Sequence, residues 1–289
     1  MDLMLQLDQE MAKRVQAVDQ FVDSYLSDMP LPKGAAIAEL RDSMKYSATN
    51  GGKRFRPVLS LLIADLFNCP VEQVLPFATA VEFIHTYSLI HDDLPSMDND
   101  DVRRGKPTNH KVYGEAFALL AGDSLLTEAF MLIAKNYSSN GFLVGKLTEL
   151  LSEAAGIRGM VGGQAIDLKA EGQTFSIEEL VHLHRLKTGA LIRVSVEGAA
   201  VIAGAKPSDI ESLKKFGEDL GLAFQVADDI LDHGEKDQDF RSFTGILGLE
   251  GTKTYLEKLG AETLSELRKV SVNAPLLEYL VGFNQSRKV

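Results

Sequence analysis

Cysteine is nearly absent from this chain of 289 residues, in which Cys69 is the single example. One cysteine excludes an intrachain disulfide and any metal site built from several cysteines, and it fits a reducing compartment. The first residues, MDLMLQLDQEMAKR, mix acids into the apolar positions and lack the basic and then apolar pattern of a secretory signal. The sequence therefore predicts a cytoplasmic protein.

An excess of positive charge and a long apolar run are also missing. The formal net charge of −11 argues against a nucleic-acid-binding surface. The apolar run over residues 57–67 is too short to span a bilayer and contains Asp65. We therefore expect no nucleic-acid partner and no membrane span. The local basic patch of Arg103, Arg104 and Lys106 suits a small anion better.

The alternating pattern typical of β-strands is not sustained anywhere, whereas helical periodicity dominates. A buried helix is predicted over 57–67, with Pro57 as its first residue. Further helices are predicted over 73–92, 115–135, 143–156, 177–203, 208–232, 251–270 and 274–283. No linker rich in Pro, Gly or Ser divides the chain. We expect one all-α domain over residues 1–289.

Two aspartate-rich segments, DDLPSMD and DDILD, each follow an apolar stretch, where an isolated charge is costly to bury. Mg²⁺ favours a few carboxylates combined with phosphate oxygens, so such clusters suit a metal that grips a diphosphate. The alternative is that these pairs lie on solvated surfaces or cap helices. The presence of two such clusters favours the metal hypothesis. Their members are Asp92, Asp93 and Asp98 in the first and Asp228, Asp229 and Asp232 in the second.

The two clusters have different spacings. Asp228 and Asp232 are four residues apart, so they share a helical face about one turn from each other. Asp92 and Asp98 are six apart and would diverge on a straight helix. Pro95 disfavours helical dihedrals in the residue before it. The first helix is therefore predicted to end just after the aspartate pair, which lets Asp98 turn back towards Asp92; a simple capping loop is the alternative.

The segment GGKRFRP combines two glycines with three cations ahead of a helix. Glycines allow close approach of the backbone to an anion, and a helix N-terminus attracts negative charge. Many surface loops have such a composition, so the segment is weak alone. His85 lies seven residues before Asp92 on the same predicted helix. Together they predict a second diphosphate pocket that needs no metal.

Three further polar residues, Lys187, Thr188 and Gln225, interrupt otherwise apolar helical sequence. Gln225 lies three residues before Asp228, on a neighbouring part of the same helical face. Structural hydrogen bonding is nearly as good an explanation for Thr188 and Gln225.

Taken together, these segments resemble those of the trans-prenyltransferases, in particular the short-chain farnesyl diphosphate synthases of bacteria. The resemblance covers about residues 35–235 and rests on GGKRFRP, IHTYSLIHDDLPSMDNDDVRRGKPTNH, GGQAIDL, LHRLKTGALI and FQVADDILD. It implies an all-α bundle around a central cavity, a homodimer, and two substrates, isopentenyl diphosphate and an allylic diphosphate. It also implies Mg²⁺ as the cofactor, roughly two to three ions.

The resemblance also assigns roles, position by position. The implied metal ligands are Asp92, Asp93, Asp98, Asp228, Asp229 and Asp232. The implied isopentenyl diphosphate site comprises Lys53, Arg56, His85 and Arg104. The groups implied around the allylic diphosphate are Arg103, Lys187, Thr188 and Gln225. Of all these, the residues expected to carry catalysis are Asp92, Asp93, Asp98, Arg103, Lys187 and Asp228.

Product length is expected to depend on Tyr87 and Ser88. Ser88 lies about one helical turn before Asp92 and is too small to block a growing chain. In the resembling family, an aromatic residue five positions before the first aspartate accompanies a C15, farnesyl, product. We therefore expect Tyr87 to close the cavity. A packed core tyrosine and a C20, geranylgeranyl, product are the alternatives.

The chain departs from the family pattern after Asp232. The family continues with a longer loop carrying a GKxxGKD-like segment, whereas this chain has DHGEKDQDFRSFTGILGLE. The expected lysine is missing, and the sequence assigns its role to neither Lys236 nor Arg241. A terpene cyclase and a non-catalytic partner subunit of a related synthase remain rival hypotheses. Both aspartate clusters argue against the partner subunit, and the GGKRFRP and His85 pocket argues against the cyclase.

Overall fold

A computed structural model describes residues 3–170, 174–233 and 241–286. Nearly all regular structure in this part of the chain is helical, which confirms the predicted all-α class. The helices are α1 Leu3–Ser27, α2 Ala35–Ala48, α3 Phe55–Leu66, α4 Val71–Asp92, α5 Asn109–Tyr113, α6 Glu115–Asn136, α7 Gly141–Ala155, α8 Met160–Lys169, α9 Ile177–His184, α10 Ala190–Ile202, α11 Pro207–Leu231, α12 Phe243–Leu267 and α13 Pro275–Ser286.

A short hairpin interrupts the helices. Strand β1, Val102–Arg103, pairs antiparallel with β2, Lys106–Pro107. The two residues between the strands, Arg104 and Gly105, have φ values of 54° and 75°. Both central residues thus have positive φ, as two-residue hairpins favour. The hairpin holds the side chains of Arg103 and Arg104 on a defined backbone.

The chain forms two compact units. The first unit comprises Gln9–Leu61 and Val71–Thr148. The second unit comprises Met1–Asp8, Leu62–Pro70 and Glu149–Val289. The first aspartate cluster belongs to the first unit and the second cluster to the second unit.

Helices α4 and α6 form the centre of the first unit, where they pack closely against each other. Gly122 of α6 permits this approach, because a Cβ atom there would lie 2.1 Å from Nε2 of His91. His91 Nε2 is 3.0 Å from the carbonyl oxygen of Leu119. The C-terminal turn of α4, which ends at Asp92, is therefore held against α6.

In the second unit, α11 packs against α10 and α12. A Cβ atom at Gly221 would lie 2.8 Å from the Cα atom of Gly189, so a small residue is needed where the two segments cross. Below this crossing, Leu222, Val226 and Phe243 belong to one buried apolar cluster. The packing fixes the C-terminal end of α11, which carries the second aspartate cluster.

Three of the differences between the predicted and the observed helices involve a proline, a π-helical turn and a helix cap. Helix α3 begins at Phe55 rather than Pro57, because a proline in the first turn loses no intrahelical hydrogen bond. The predicted helix over 177–203 contains a π-helical turn, Arg185–Gly189. Helix α12 begins at Phe243 rather than 251, because the Ser242 side chain accepts a hydrogen bond from the Gly245 N–H.

One helix in the described part of the chain, α6, is long and apolar enough to cross a membrane by length and composition alone. Only 39% of its apolar stretch is buried. Core helices of soluble proteins pass the same test, so this is weak support for a membrane span. Leu120 and Met131 of α6 are 47% and 52% exposed, so the described residues leave part of its apolar surface uncovered.

Candidate active site

The first aspartate segment begins where α4 ends. The backbone N–H of Asp98 donates to the carbonyl oxygen of Asp92 at 2.8 Å, and that of Asn99 donates to Leu94 at 3.1 Å. The chain thus turns back on the helix end after the aspartate pair, as Pro95 led us to predict. This turn brings Asp92 and Asp98 together, although they are six positions apart.

Asp93 has a different environment from its neighbours. It is 3% exposed, and its Oδ1 accepts a hydrogen bond from Arg103 Nε at 2.6 Å. Burial raises the pKa of Asp93, and the paired guanidinium of Arg103 works against that rise. Arg103 also contacts Asp100 at 3.2 Å. Asp92 is partly exposed and Asp98 is exposed, so both carboxylates are more accessible than that of Asp93.

The second aspartate segment keeps its helical geometry. The N–H of Asp232 donates to the carbonyl oxygen of Asp228 at 2.9 Å, one turn earlier. Asp229 Oδ2 accepts from the backbone N–H of Phe243 at 2.6 Å and so fixes the first residue of α12. Asp228 is partly exposed and Asp232 is exposed. Here, too, the second aspartate of the pair holds another part of the protein.

No group of three or more His, Cys, Asp or Glu side chains within the described ranges is arranged as a complete metal cage. Mg²⁺ seldom needs one, because it keeps several waters and is commonly held by one or two carboxylates together with substrate phosphates. The accessible carboxylates at each segment supply the hard oxygen donors that it prefers. The donor chemistry therefore fits a magnesium ion that is completed by a diphosphate.

The glycine pair of GGKRFRP makes room for an arginine. Gly51 and Gly52 have φ values of 70° and 113°, which favour glycine. A Cβ atom at Gly52 would lie 2.6 Å from Cζ of Arg104. Arg104 Nη1 donates to the carbonyl oxygen of Gly51. The sequence predicted close approach of the loop to an anion, and the contact in the structure is with a cationic side chain.

Arg56, His85 and Arg104 lie close enough in the first unit for their charges to interact. Burial lowers the pKa of His85 well below its ordinary value, and the charges of Arg56 and Arg104 lower it further. The pKa of Arg56 is also lowered, chiefly by burial, and its buried Nε has no hydrogen-bond partner in the described residues. Lys53 lies exposed on the adjoining loop. The unsatisfied donor of Arg56 and the neighbouring guanidinium of Arg104 suit a bound anion.

Sequence reasoning missed the role of Arg54, which lies between Lys53 and Arg56. Its side chain is buried, and it donates to Asp19 and Glu82 at 2.8 Å and to the carbonyl oxygen of Ala48 at 2.6 Å. The sequence offered one clue: Glu82 lies in the apolar part of α4, where a carboxylate needs a partner. This arginine is a structural residue of the cationic loop.

In the second unit, Lys187 lies in the π-helical turn. Its Nζ is 2.5 Å from Oδ2 of Asp167 in α8. Gly163 permits the approach of α8, because a Cβ atom there would lie 2.3 Å from the backbone nitrogen of Lys187. Such turns occur frequently at functional sites. Asp167 belongs to GGQAIDL, a motif to which sequence reasoning assigned no role.

Comparisons with known proteins decide which family combines these features. The family model described as polyprenyl synthetase matches residues 37–244. The chain belongs to the polyprenyl synthetase family. The farnesyl diphosphate synthase of Geobacillus stearothermophilus is 41% identical over 290 residues, covering 96% of each chain. That of Bacillus subtilis (strain 168) is 42% identical over 262 residues, covering 86% of each.

A solved structure agrees with these relatives. The apo structure of an FPP/GFPP synthase from Zymomonas mobilis has a TM-score of 0.90 and 36% identity, and the match covers 97% of this chain and 99% of that one. These findings confirm the prediction of a short-chain trans-prenyltransferase with an all-α fold.

For this polyprenyl synthetase, the residues expected to limit product length are well defined. Tyr87 is 7% exposed, and its ring meets that of His91 at 5.6 Å and 73°. Burial and the nearby charge of Asp92 raise the pKa of Tyr87 to about 12. The hydroxyl of Ser88 donates to the carbonyl oxygen of His85 at 2.9 Å, within the helix. Tyr87 is thus held one turn from the first cluster with its ring in a fixed environment.

Gln225 and His184 also lie together in this family member. Burial lowers the pKa of His184 to about 4, while Asp167 and Gln225 act against that decrease. The ring of His184 stacks on Phe243 at 5.6 Å. Thr188 is partly buried.

Of the two candidates for the missing lysine, Lys236 lies outside the described residues, and Arg241 directly precedes the Ser242 cap of α12.

Proposed function

We propose that this polyprenyl synthetase condenses isopentenyl diphosphate with dimethylallyl or geranyl diphosphate and releases mainly farnesyl diphosphate. One observation supports the proposal: the first unit carries accessible carboxylates at Asp92 and Asp98 and also the group of Arg56, His85 and Arg104. Asp92 and Asp98 need a metal to hold a diphosphate, whereas Arg56, His85 and Arg104 need none. A reaction that joins two diphosphates requires two such sites. A geranylgeranyl diphosphate synthase is the alternative.

The carboxylates of Asp92, Asp98, Asp228 and Asp232 are the proposed ligands of Mg²⁺. When bound, the metal stabilises the negative charge that develops on the departing diphosphate. Asp93 and Asp229 belong to the same clusters and are proposed to position them, because each already holds another group of the protein. We propose that residues 1–289 act as a single catalytic domain.

The cationic and polar residues are assigned to one or the other of the two substrates. We assign Arg103, Lys187, Thr188 and Gln225 to the allylic diphosphate and Lys53, Arg56, His85 and Arg104 to isopentenyl diphosphate. The allylic C–O bond breaks, the diphosphate leaves with the electron pair, and an allylic cation remains. The double bond of isopentenyl diphosphate attacks that cation, and the released diphosphate takes the proton. Exclusion of water protects the cation from quenching.

We also propose a cytoplasmic homodimer assembled through the exposed face of α6. This face repeats at helical spacing through Ala116, Leu120, Thr127 and Met131, all of them exposed. A second copy would cover this face, which otherwise leaves large apolar groups in water. Leu120→Glu should convert the dimer to a monomer in light scattering after gel filtration. An unchanged mass would reject this interface.

The pocket assignment is tested with Arg56→Ala. Loss of a guanidinium that binds a diphosphate should raise the KM for isopentenyl diphosphate about tenfold or more. The KM for geranyl diphosphate should change little. Arg41→Ala is the matched control, since Arg41 pairs with Asp42 on the surface of the same unit. The reverse pattern would mean that the two substrates exchange pockets.

The same assay separates the rival functions. Product sizing with Mg²⁺, isopentenyl diphosphate and each allylic diphosphate should show C15 as the main product. Turnover of an allylic diphosphate that does not depend on isopentenyl diphosphate would indicate a terpene cyclase. No turnover of the purified chain alone would indicate a partner subunit.

A further inference from the structure

Arg54 is a buried charged residue within the glycine-containing GGKRFRP loop. It is 2% exposed, and its backbone has a φ of 46°, which side chains other than glycine seldom adopt. Its guanidinium donates to Asp19, Glu82 and the carbonyl oxygen of Ala48. These three contacts hold the loop in place and stabilise the unfavourable backbone conformation of Arg54.

Glu82 is the buried member of this network. It is 2% exposed on α4, one turn before His85, and its Oε1 lies 2.8 Å from Arg54 Nη1. Its charge also acts on Arg56 and Arg104, where it raises the pKa of each guanidinium against the effect of burial. Glu82 thus bonds to Arg54, and its negative charge opposes the mutual repulsion of Arg54, Arg56 and Arg104.

We propose that Glu82 is a positioning residue for the isopentenyl diphosphate pocket: through Arg54 it fixes the GGKRFRP loop, and it holds Arg56 and Arg104 together before a diphosphate binds. The inference rests on the proposed assignment of that pocket. Glu82 touches no substrate. Its effect passes through the arginines, because a buried guanidinium without a counter-charge would move towards water.

A purely electrostatic role makes the opposite prediction. Removing a negative charge from a pocket that binds an anion strengthens the positive potential and should tighten diphosphate binding. A positioning role predicts weaker binding, because the arginines lose their fixed geometry. The sign of the change in KM therefore separates the two roles.

The experiment compares Glu82→Gln with Glu128→Gln in the full-length protein. Both variants keep the size of the side chain and remove one carboxylate from the first unit. Glu128 accepts a hydrogen bond from the Tyr25 hydroxyl at 2.6 Å. For Glu82→Gln we expect about a tenfold rise in the KM for isopentenyl diphosphate. The kcat and the KM for geranyl diphosphate should stay within about twofold. Glu128→Gln should leave all three constants unchanged.

A KM for isopentenyl diphosphate that is unchanged or lower in Glu82→Gln would overturn the inference, as would an equal loss with geranyl diphosphate. If Glu82→Gln does not fold, Asp19→Asn replaces it, since the Asp19 side chain is 44% exposed and is the milder partner of Arg54. It should raise the same KM about threefold, and no rise would equally overturn the inference. Arg56→Ala in parallel tests the pocket itself, so failure there is distinguishable from failure at Glu82.

Discussion

The two aspartate pairs differ in backbone conformation, but in each pair the second aspartate has a structural partner. The first pair lies where α4 ends, and a turn after Pro95 returns Asp98 to Asp92. The second pair lies on the last turn of an intact helix. In both, the second aspartate holds a distant part of its own unit: Asp93 holds Arg103, and Asp229 holds the start of α12.

This comparison separates the residues that a sequence motif groups together. Adjacent aspartates point in different directions from a helix, so the two carboxylates of a pair have different surroundings. Asp93 and Asp229 each have a partner within the protein, and each unit supplies a different kind. Arg103 is a full charge, whereas the Phe243 N–H is a backbone dipole. The two pairs should therefore respond differently to neutralisation.

The largest expected effect comes from the first aspartate of either pair. Asp92→Ala and Asp228→Ala should each lower turnover at least about a hundredfold, because each removes charge stabilisation in the transition state. The measurement is steady-state turnover across a Mg²⁺ titration, with thermal melting to show that the variants fold. Near-normal turnover of either variant in excess Mg²⁺ would show that its cluster does not serve the reaction.

A smaller and unequal effect is expected at the second aspartates. Asp93→Asn removes a charged partner of Arg103, which is partly exposed and keeps Asp100, so the variant should lose about 2 kcal/mol of folding free energy. Asp229→Asn keeps an oxygen that accepts from Phe243, so its cost should be about 1 kcal/mol. Chemical denaturation of both variants tests the difference. Equal losses would mean that the partners of Asp93 and Asp229 are energetically alike.

Helical periodicity and the effect of proline on its neighbours are enough to predict the local geometry of both aspartate segments. Pro95 was enough to predict that the chain turns back after Asp93, because a proline restricts its own residue and the one before it. The i,i+4 spacing was enough to place Asp228 and Asp232 one turn apart. Both features depend on local geometry, which neighbouring residues determine.

The partners of the buried charges were not predictable in the same way. Arg54 and Glu82 are far apart in sequence, and only packing of the loop against α4 brings them together. The same is true of Lys187 and Asp167, which meet where α8 crosses the π-helical turn. Gly52 was interpreted from its type alone, and its role in admitting Arg104 needed the tertiary structure.

A further difference between the pairs lies five residues upstream. Tyr87 precedes Asp92 by this distance, whereas Ala223 precedes Asp228, and both are buried. If the ring of Tyr87 closes the product cavity, Tyr87→Ala should move the main product from C15 to C20 or longer, measured by chromatography of the dephosphorylated alcohols. Tyr137→Ala is the matched control, because Tyr137 is equally buried in the same unit. A variant that still stops at C15 would mean that Tyr87 is a packed core residue.

The last expected effect is a dependence of stability on pH, and it concerns the two buried histidines His85 and His184. Burial is the main cause that lowers the pKa of both histidines. Nearby arginines lower the pKa of His85 further, and the pKa of His184 is lowered to about 4. Because the folded pKa of His184 lies below the unfolded value of about 6.5, the unfolded chain takes up the proton first as the pH falls. The stability that neutral His184 contributes is therefore fully present above about pH 6.5 and is lost progressively towards pH 4.

The loss should reach about 2 kcal/mol at pH 5, at about 1.4 kcal/mol per pH unit. His184→Gln removes the titrating group, so its denaturation midpoint should fall less steeply with pH than that of the unmodified protein. Parallel curves for the two proteins between pH 7 and pH 5 would show that His184 is not held neutral by the fold.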